Sequence, residues 1–164
     1  MWGLMIICYI GMFFSIVLLS ITGLQSYIQF EIIKASYQEF ALFSITFYMF
    51  SETLIMFYFI GSGTAIKKEV SYSKVQTSVY DKIKKIKMVL FPHLTLNMLI
   101  LGTAFILIGA VDTGSISSLV QKSLFFIGYF HFLYTIKIQH MGFKENIDVI
   151  IELSDLNEAN SIAN

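Results

Sequence analysis

The sequence predicts an all-α integral membrane protein: a four-helix transmembrane bundle with up-down topology. Of its 164 residues, 56% are apolar and only 13% are charged, and the mean hydropathy is +0.73. Four stretches carry almost no charge, and each is about long enough to cross the hydrocarbon core of a bilayer. Together with their connections they occupy most of the chain. We therefore expect one membrane domain over residues 1–140 and an acidic cytoplasmic tail over residues 141–164.

The four spans are predicted at about residues 4–25, 40–65, 92–111 and 116–136. The first is an uninterrupted apolar run, and the second contains Glu52 as its single charged residue. The third is expected to begin at Pro92, because the first turn of a helix does not need the N–H that proline lacks. The fourth includes Lys122, whose aliphatic stem allows its ammonium group to reach the interface.

The connections are polar. Residues 67–91 form a basic segment in which Val75, Val79, Ile83, Ile86 and Val89 recur at helical spacing, which predicts an interfacial amphipathic helix before the third span. A tight turn is predicted at 112–115, where the sequence reads Asp-Thr-Gly-Ser.

Lysine placement predicts the orientation of the bundle, because cytoplasmic loops retain positive charge. Nine of the eleven lysines belong to the basic segment or the region after the fourth span, and the other two, Lys34 and Lys122, belong to the opposite side. The nine are Lys67, Lys68, Lys74, Lys82, Lys84, Lys85, Lys87, Lys137 and Lys144. We therefore expect a protein of the cell (inner) membrane with both termini in the cytoplasm.

Composition also bears on function classes. The chain contains no arginine, so the residue that binds phosphates in a bidentate manner is missing and nucleic-acid binding is not expected. Cys8 is the single cysteine, which excludes an internal disulfide or a thiolate metal cluster. No nucleophile motif supports hydrolase chemistry, and whether the protein is an enzyme stays open. The expected partners are the lipid bilayer and other membrane subunits.

Ionisable residues inside the spans are the candidate functional residues, because each costs about 2.5–3.5 kcal/mol or more at the centre of a membrane helix unless it has a partner. In the second span, Glu52 shares a helical face with Ser44, Tyr48 and Ser51. That face should point into the bundle. Counted from Gly61 as the end of the helix, Glu52 should lie about one turn deeper than the histidines of the other spans.

Two histidines are predicted at one depth. His93 and His131 each lie six residues from the nearest lysine on the same side of the membrane, which corresponds to about 9 Å along a helix. Asn97 follows His93 by one turn, and Gly128 and Thr135 share a face with His131. His140 lies beyond Lys137 and is expected at the water boundary.

Two level histidines on neighbouring helices are typical of axial ligands to haem b, and this layout resembles that of small membrane cytochromes b. With Glu52 they alternatively form the ligand set of a non-haem metal: iron, zinc or manganese. Asn97 and His140 are supporting or alternative ligands, and Gly128 and Thr135 would pack near the cofactor. The predicted function is electron transfer or redox chemistry, alone or as a subunit of a larger complex. The alternatives are a structural or assembly subunit, and a small transporter or proton path in which Glu52 titrates.

Overall fold

The structure, a computed structural model, describes residues 2–28, 36–73 and 78–162, and this part of the chain forms four α-helices. They are α1 (Trp2–Ile28), α2 (Tyr37–Ser73), α3 (Ser78–Asp112) and α4 (Ser118–Ile162). Successive helices run antiparallel. Thr22 of α1 bonds Ser44 of α2, for example, whereas Gly11, earlier in α1, packs against Ser51, later in α2. The predicted all-α bundle with up-down topology is confirmed.

Among the described residues, α1, α2 and α3 are long and apolar enough to cross a membrane. Helix α4 is less apolar because it carries more polar side chains, and several of these point inward. Gln121, Gln139 and Asn146 are buried, whereas Ile127 and Phe130 of the same helix are exposed. This distribution is expected of a membrane bundle, since lipid is the solvent for the outer face.

The helices extend well past the predicted spans. Helix α4 has 45 residues, a length of about 68 Å against a hydrocarbon core of about 30 Å. The basic segment 67–91 is divided between the end of α2 and the start of α3. Its amphipathic part is helical from Ser78 and continuous with the third span. Residues 141–162 likewise continue α4, so the lysine-rich end of the bundle is an extension of the membrane helices.

Pro92 lies inside α3, fourteen residues after the helix begins, and the prediction that it starts the helix is wrong. A proline there removes one helical hydrogen bond. The helix nevertheless continues because Val79, Ile83, Ile86 and Leu90 are buried in the same apolar cluster as residues of α2 and α4. Pro92 itself is exposed. Burial of four apolar side chains outweighs the loss of one hydrogen bond.

A seven-residue repeat determines which faces are buried. Beside other buried residues (Ser44, Ser51, Tyr58 and Gly63 in α2, Phe143 in α4), each of these helices has a series of buried positions separated alternately by three and four residues, as in a coiled coil. In α2 they are Ala41, Ile45, Tyr48, Glu52, Ile55, Phe59, Ser62 and Ile66. In α4 they are Gln121, Phe125, Gly128, Phe132, Thr135, Gln139, Gly142, Asn146, Val149 and Leu153. The inner faces of α2 and α4 therefore carry polar residues at regular intervals along the bundle.

The predicted turn between the third and fourth spans is confirmed. Gly114 has a φ of +72°, which residues with a side chain rarely adopt. The N–H groups of Gly114 and Ser115 donate to the carbonyls of Val111 and Ala110, the pattern of a Schellman motif. Glycine is therefore required where α3 ends and the chain reverses.

Lysine asymmetry is retained in the part of the chain that the structure describes. Lys67 and Lys68 lie near the end of α2, and four further lysines lie in the first turns of α3, at the same end of the bundle. Lys34, Lys74, Val75 and Asn164, which contribute to the predicted charge bias, amphipathic helix and tail, lie outside the described residues.

Candidate functional site

His93 and His131 are in contact. Nδ1 of His93 lies 3.4 Å from Nε2 of His131, and the ring centroids are 5.6 Å apart. The predicted equal depth of these residues is confirmed, since α3 and α4 bring them to one level. Both rings are partly buried, at the margin of the seam between the two helices. Two imidazoles therefore share one small site.

A chain of hydrogen bonds orients the histidine pair from inside the bundle. The side-chain amide of Asn97 donates to the Tyr48 hydroxyl at 2.7 Å, and the Asn97 Oδ1 atom lies 2.9 Å from Nδ1 of His131. Because a carbonyl oxygen accepts, this network assigns the proton of His131 to Nδ1 and leaves a lone pair on Nε2 facing His93. Asn97 and Tyr48 are fully buried, so the side chains that orient His131 are shielded from solvent.

Gly128 and Thr135 position the helix that carries His131. The Thr135 hydroxyl donates to the backbone carbonyl of His131 at 2.8 Å. One turn earlier, a Cβ atom added at Gly128 would lie 2.8 Å from Leu101 Cδ2 and 2.9 Å from Ile100 Cγ2. The absence of a side chain at Gly128 therefore allows α4 to approach α3 closely beside the histidines.

Replacing Gly128 with valine is expected to destabilise the bundle by about 1–3 kcal/mol, because overpacking forces α3 and α4 apart. Gly109→Val is the matched control, since a Cβ atom at Gly109 meets no other side chain within 4 Å. Reversible unfolding in mixed detergent micelles measures both variants. Equal losses of stability would show that the close approach at Gly128 is not required.

Glu52 is fully buried and accepts a hydrogen bond from the Gln139 side-chain amide at 2.7 Å. Its partner lies eight residues after His131 in α4, so Glu52 is nearer the lysine-rich end than the histidines. The prediction that it lies one turn deeper is wrong because α2 does not end at Gly61 but continues to Ser73. The second carboxylate oxygen of Glu52 has no hydrogen-bond partner among the described residues.

His140 is separate from the histidine pair. It is exposed on α4, and its Nδ1 atom lies 2.9 Å from the Tyr9 hydroxyl of α1. It thus lies toward α1, two turns beyond His131 along α4.

Sequence reasoning missed the partners supplied by α4. Gln139 binds Glu52, and Asn146 donates to the Tyr58 hydroxyl and accepts from Ser62, both at 3.0 Å. The sequence contains a pattern that predicts these inward-facing positions, because Phe125, Phe132, Gln139 and Asn146 recur every seven residues. The pattern was missed because the fourth span was predicted from hydropathy to end near residue 136, whereas the seven-residue repeat continues beyond it.

The donor set available to a metal is small. Within the described ranges, no group of three or more His, Cys, Asp or Glu side chains is close enough to hold one ion. The two histidine nitrogens that face each other are the strongest pair. Two nitrogens bound to one tetrahedral ion at about 2.0–2.1 Å lie about 3.3–3.4 Å apart. The observed separation of 3.4 Å fits this geometry.

No protein-family model matches the sequence, and comparisons with curated proteins and with solved structures give no match. The chemistry of the site is therefore the guide to function.

Proposed function

We propose that this integral membrane protein binds one transition-metal ion between Nδ1 of His93 and Nε2 of His131. The observation that supports the proposal is their separation of 3.4 Å, together with the Asn97 and Tyr48 side chains that orient His131 from behind. A ligating histidine usually donates its other N–H to such a partner, which fixes the tautomer that can bind metal. The remaining coordination positions would be open to water or to a small molecule.

The contact between the rings favours a non-haem ion over haem b. Two axial nitrogens on opposite sides of one iron would lie about 4 Å apart, with a porphyrin between the rings. The two histidines are closer than that, so the helices would have to separate to admit the macrocycle. Imidazole ligands suit iron and zinc better than manganese. Bound iron would supply the redox chemistry predicted from the sequence.

Elemental analysis and the visible spectrum of the purified protein test this function. We expect about one iron or zinc ion per chain and no Soret band, as a two-histidine site holds a single ion. A Soret band that shifts on reduction would show that the bound cofactor is haem and not a non-haem ion. Absence of both metal and haem, even after addition of Fe²⁺ or Zn²⁺, would reject the metal function.

A structural or assembly subunit of a membrane complex is the second candidate. It is favoured by the number of polar side chains that bond across helix interfaces, among them Thr22 to Ser44, Glu52 to Gln139 and Asn146 to Tyr58. Such bonds fix helix packing without any cofactor. A metal-free protein that co-purifies with other membrane subunits would support this function.

The predicted orientation is part of the proposal: both termini and the lysine-rich end should face the cytoplasm of the cell (inner) membrane. Single cysteines replacing Lys84 and Asp112, in a Cys8→Ser background, should label from opposite sides with an impermeant thiol reagent. Both positions are exposed and lie at opposite ends of α3. Labelling of both from one side would contradict the topology.

A further inference from the structure

A groove of about 570 Å³ runs between α3 and α4 at the lysine-rich half of the bundle. Its volume lies within the range of about 300–1,000 Å³ that is typical of small-molecule sites. Buried Leu90 and Val149 line it from the inside, and exposed Val89 and Met141 line its margin. In its middle part the groove is therefore apolar. It lies on the outer surface of the bundle and is open to the hydrocarbon chains of lipids.

Charged residues are concentrated at one end of the groove. Lys82 and Glu152 form an ion pair at 2.6 Å and neutralise each other. Lys85, Glu145 and Asp148 line the same end, and none of them makes an ion pair among the described residues. His93 and Tyr134 line the other end, about 12 Å from Lys85 along α3. The groove thus joins a polar entrance near the membrane boundary to an apolar interior.

The free charges at the entrance are one positive and two negative. An anionic headgroup would be repelled by Glu145 and Asp148, and a purely cationic one by Lys85. A headgroup with both a phosphate and a primary ammonium complements all three residues. An ammonium donates charge-assisted hydrogen bonds to carboxylates, which a trimethylammonium group cannot do because it has no N–H.

We propose that this groove binds an ethanolamine phospholipid. Its phosphate is held by Lys85 and its ammonium by Glu145 and Asp148, and an acyl chain lies along Val89 and Met141. The proposed headgroup ligands are distinct from the metal ligands His93 and His131, and His93 lines the opposite end of the groove, about 12 Å from Lys85 along α3.

Native mass spectrometry of the delipidated full-length protein tests the proposal, with dioleoyl phosphatidylethanolamine, phosphatidylcholine and phosphatidylglycerol as probes. We expect phosphatidylethanolamine to bind tightest. Lys85→Ala should weaken its binding about tenfold, the loss of one charge-assisted contact. Lys84→Ala is the matched control, because Lys84 is also exposed but is not among the residues that line the groove.

The role of the two carboxylates is tested by the preference of the groove for ethanolamine over choline phospholipids. The double variant Glu145→Gln, Asp148→Asn should lose the preference for ethanolamine over choline, whereas Asp155→Asn, which lies outside the groove, should keep it. Equal binding of the two zwitterionic lipids by the unaltered protein would overturn the proposal. Tighter binding of phosphatidylglycerol would overturn it too, and so would an effect of Lys84→Ala as large as that of Lys85→Ala. Metal content measured in the same samples shows separately whether the histidine site binds metal.

Discussion

His93→Ala and His131→Ala are each expected to remove most of the bound metal, whereas His140→Ala should retain it. Each of the first two variants deletes one of two protein ligands, and no third His, Cys, Asp or Glu is grouped with them in the described part of the chain. A site with one remaining imidazole and solvent ligands should not retain an ion through purification. His140 is the matched control because it lies on the same helix as His131 but contacts Tyr9 instead of the pair.

Replacing a residue that orients the histidine pair should reduce metal binding less than replacing a histidine. Asn97→Leu removes the acceptor that fixes the His131 tautomer, and substitutions of this kind typically weaken metal binding by about 10–100-fold. Metal titration in detergent, with circular dichroism to verify helix content, separates loss of ligation from loss of fold. Full metal occupancy in both His93→Ala and His131→Ala would reject the ligand role and leave a histidine contact that serves helix packing only.

The second large effect is expected at Glu52. Glu52→Leu and Gln139→Leu should each destabilise the bundle by about 1–3 kcal/mol, because each leaves the other side chain buried without its partner. The double variant should cost less than the sum of the two. Coupling free energies of hydrogen bonds between membrane helices average about 0.6 kcal/mol and reach about 1.7 kcal/mol, and we expect a value up to that maximum here. Unfolding in mixed micelles measures all three variants.

Two further substitutions complete the Glu52 test. Thr53→Val is the control for loss of a neighbouring polar group, since among the described residues the Thr53 hydroxyl bonds only the carbonyl of Met49 in its own helix. Glu52→Gln keeps an oxygen that can accept from Gln139 and should preserve both the fold and the metal. If Glu52→Gln instead abolished proton movement in proteoliposomes, Glu52 would be the titrating group of a proton path. An additive double variant would show that Glu52 and Gln139 do not stabilise each other.

Much of the fold was predictable because lipid imposes simple rules on a sequence. Apolar runs of about 20 residues located the helices, and the Asp-Thr-Gly-Ser sequence located the turn in which Gly114 has positive φ. The shared face of Ser44, Tyr48, Ser51 and Glu52 was also predictable, since helical periodicity assigns these positions to one side. All four residues are buried.

Helix ends were harder to predict, because hydropathy reports where the membrane ends and not where the helix ends. Pro92 was predicted to begin a helix and Gly61 to end one, yet α3 continues through Pro92 and α2 continues through Gly61. The depth predicted for Glu52 was wrong for that reason. The contact between His93 and His131 agrees with the equal depth predicted for them, because that depth was counted from lysines and did not depend on where a helix ends.

The sequence by itself determined that this chain is a helical membrane protein, which face of α2 is buried, and that His93 and His131 lie at one depth. Each of these follows from local periodicity and from the cost of placing polar groups in hydrocarbon. Only the tertiary structure decided which polar groups meet. That Asn97 bonds both His131 and Tyr48, and that Glu52 bonds Gln139, depends on the relative rotation and shift of three helices. Those quantities are set by contacts such as Gly128 against Leu101, between residues distant in sequence, so no local pattern encodes them.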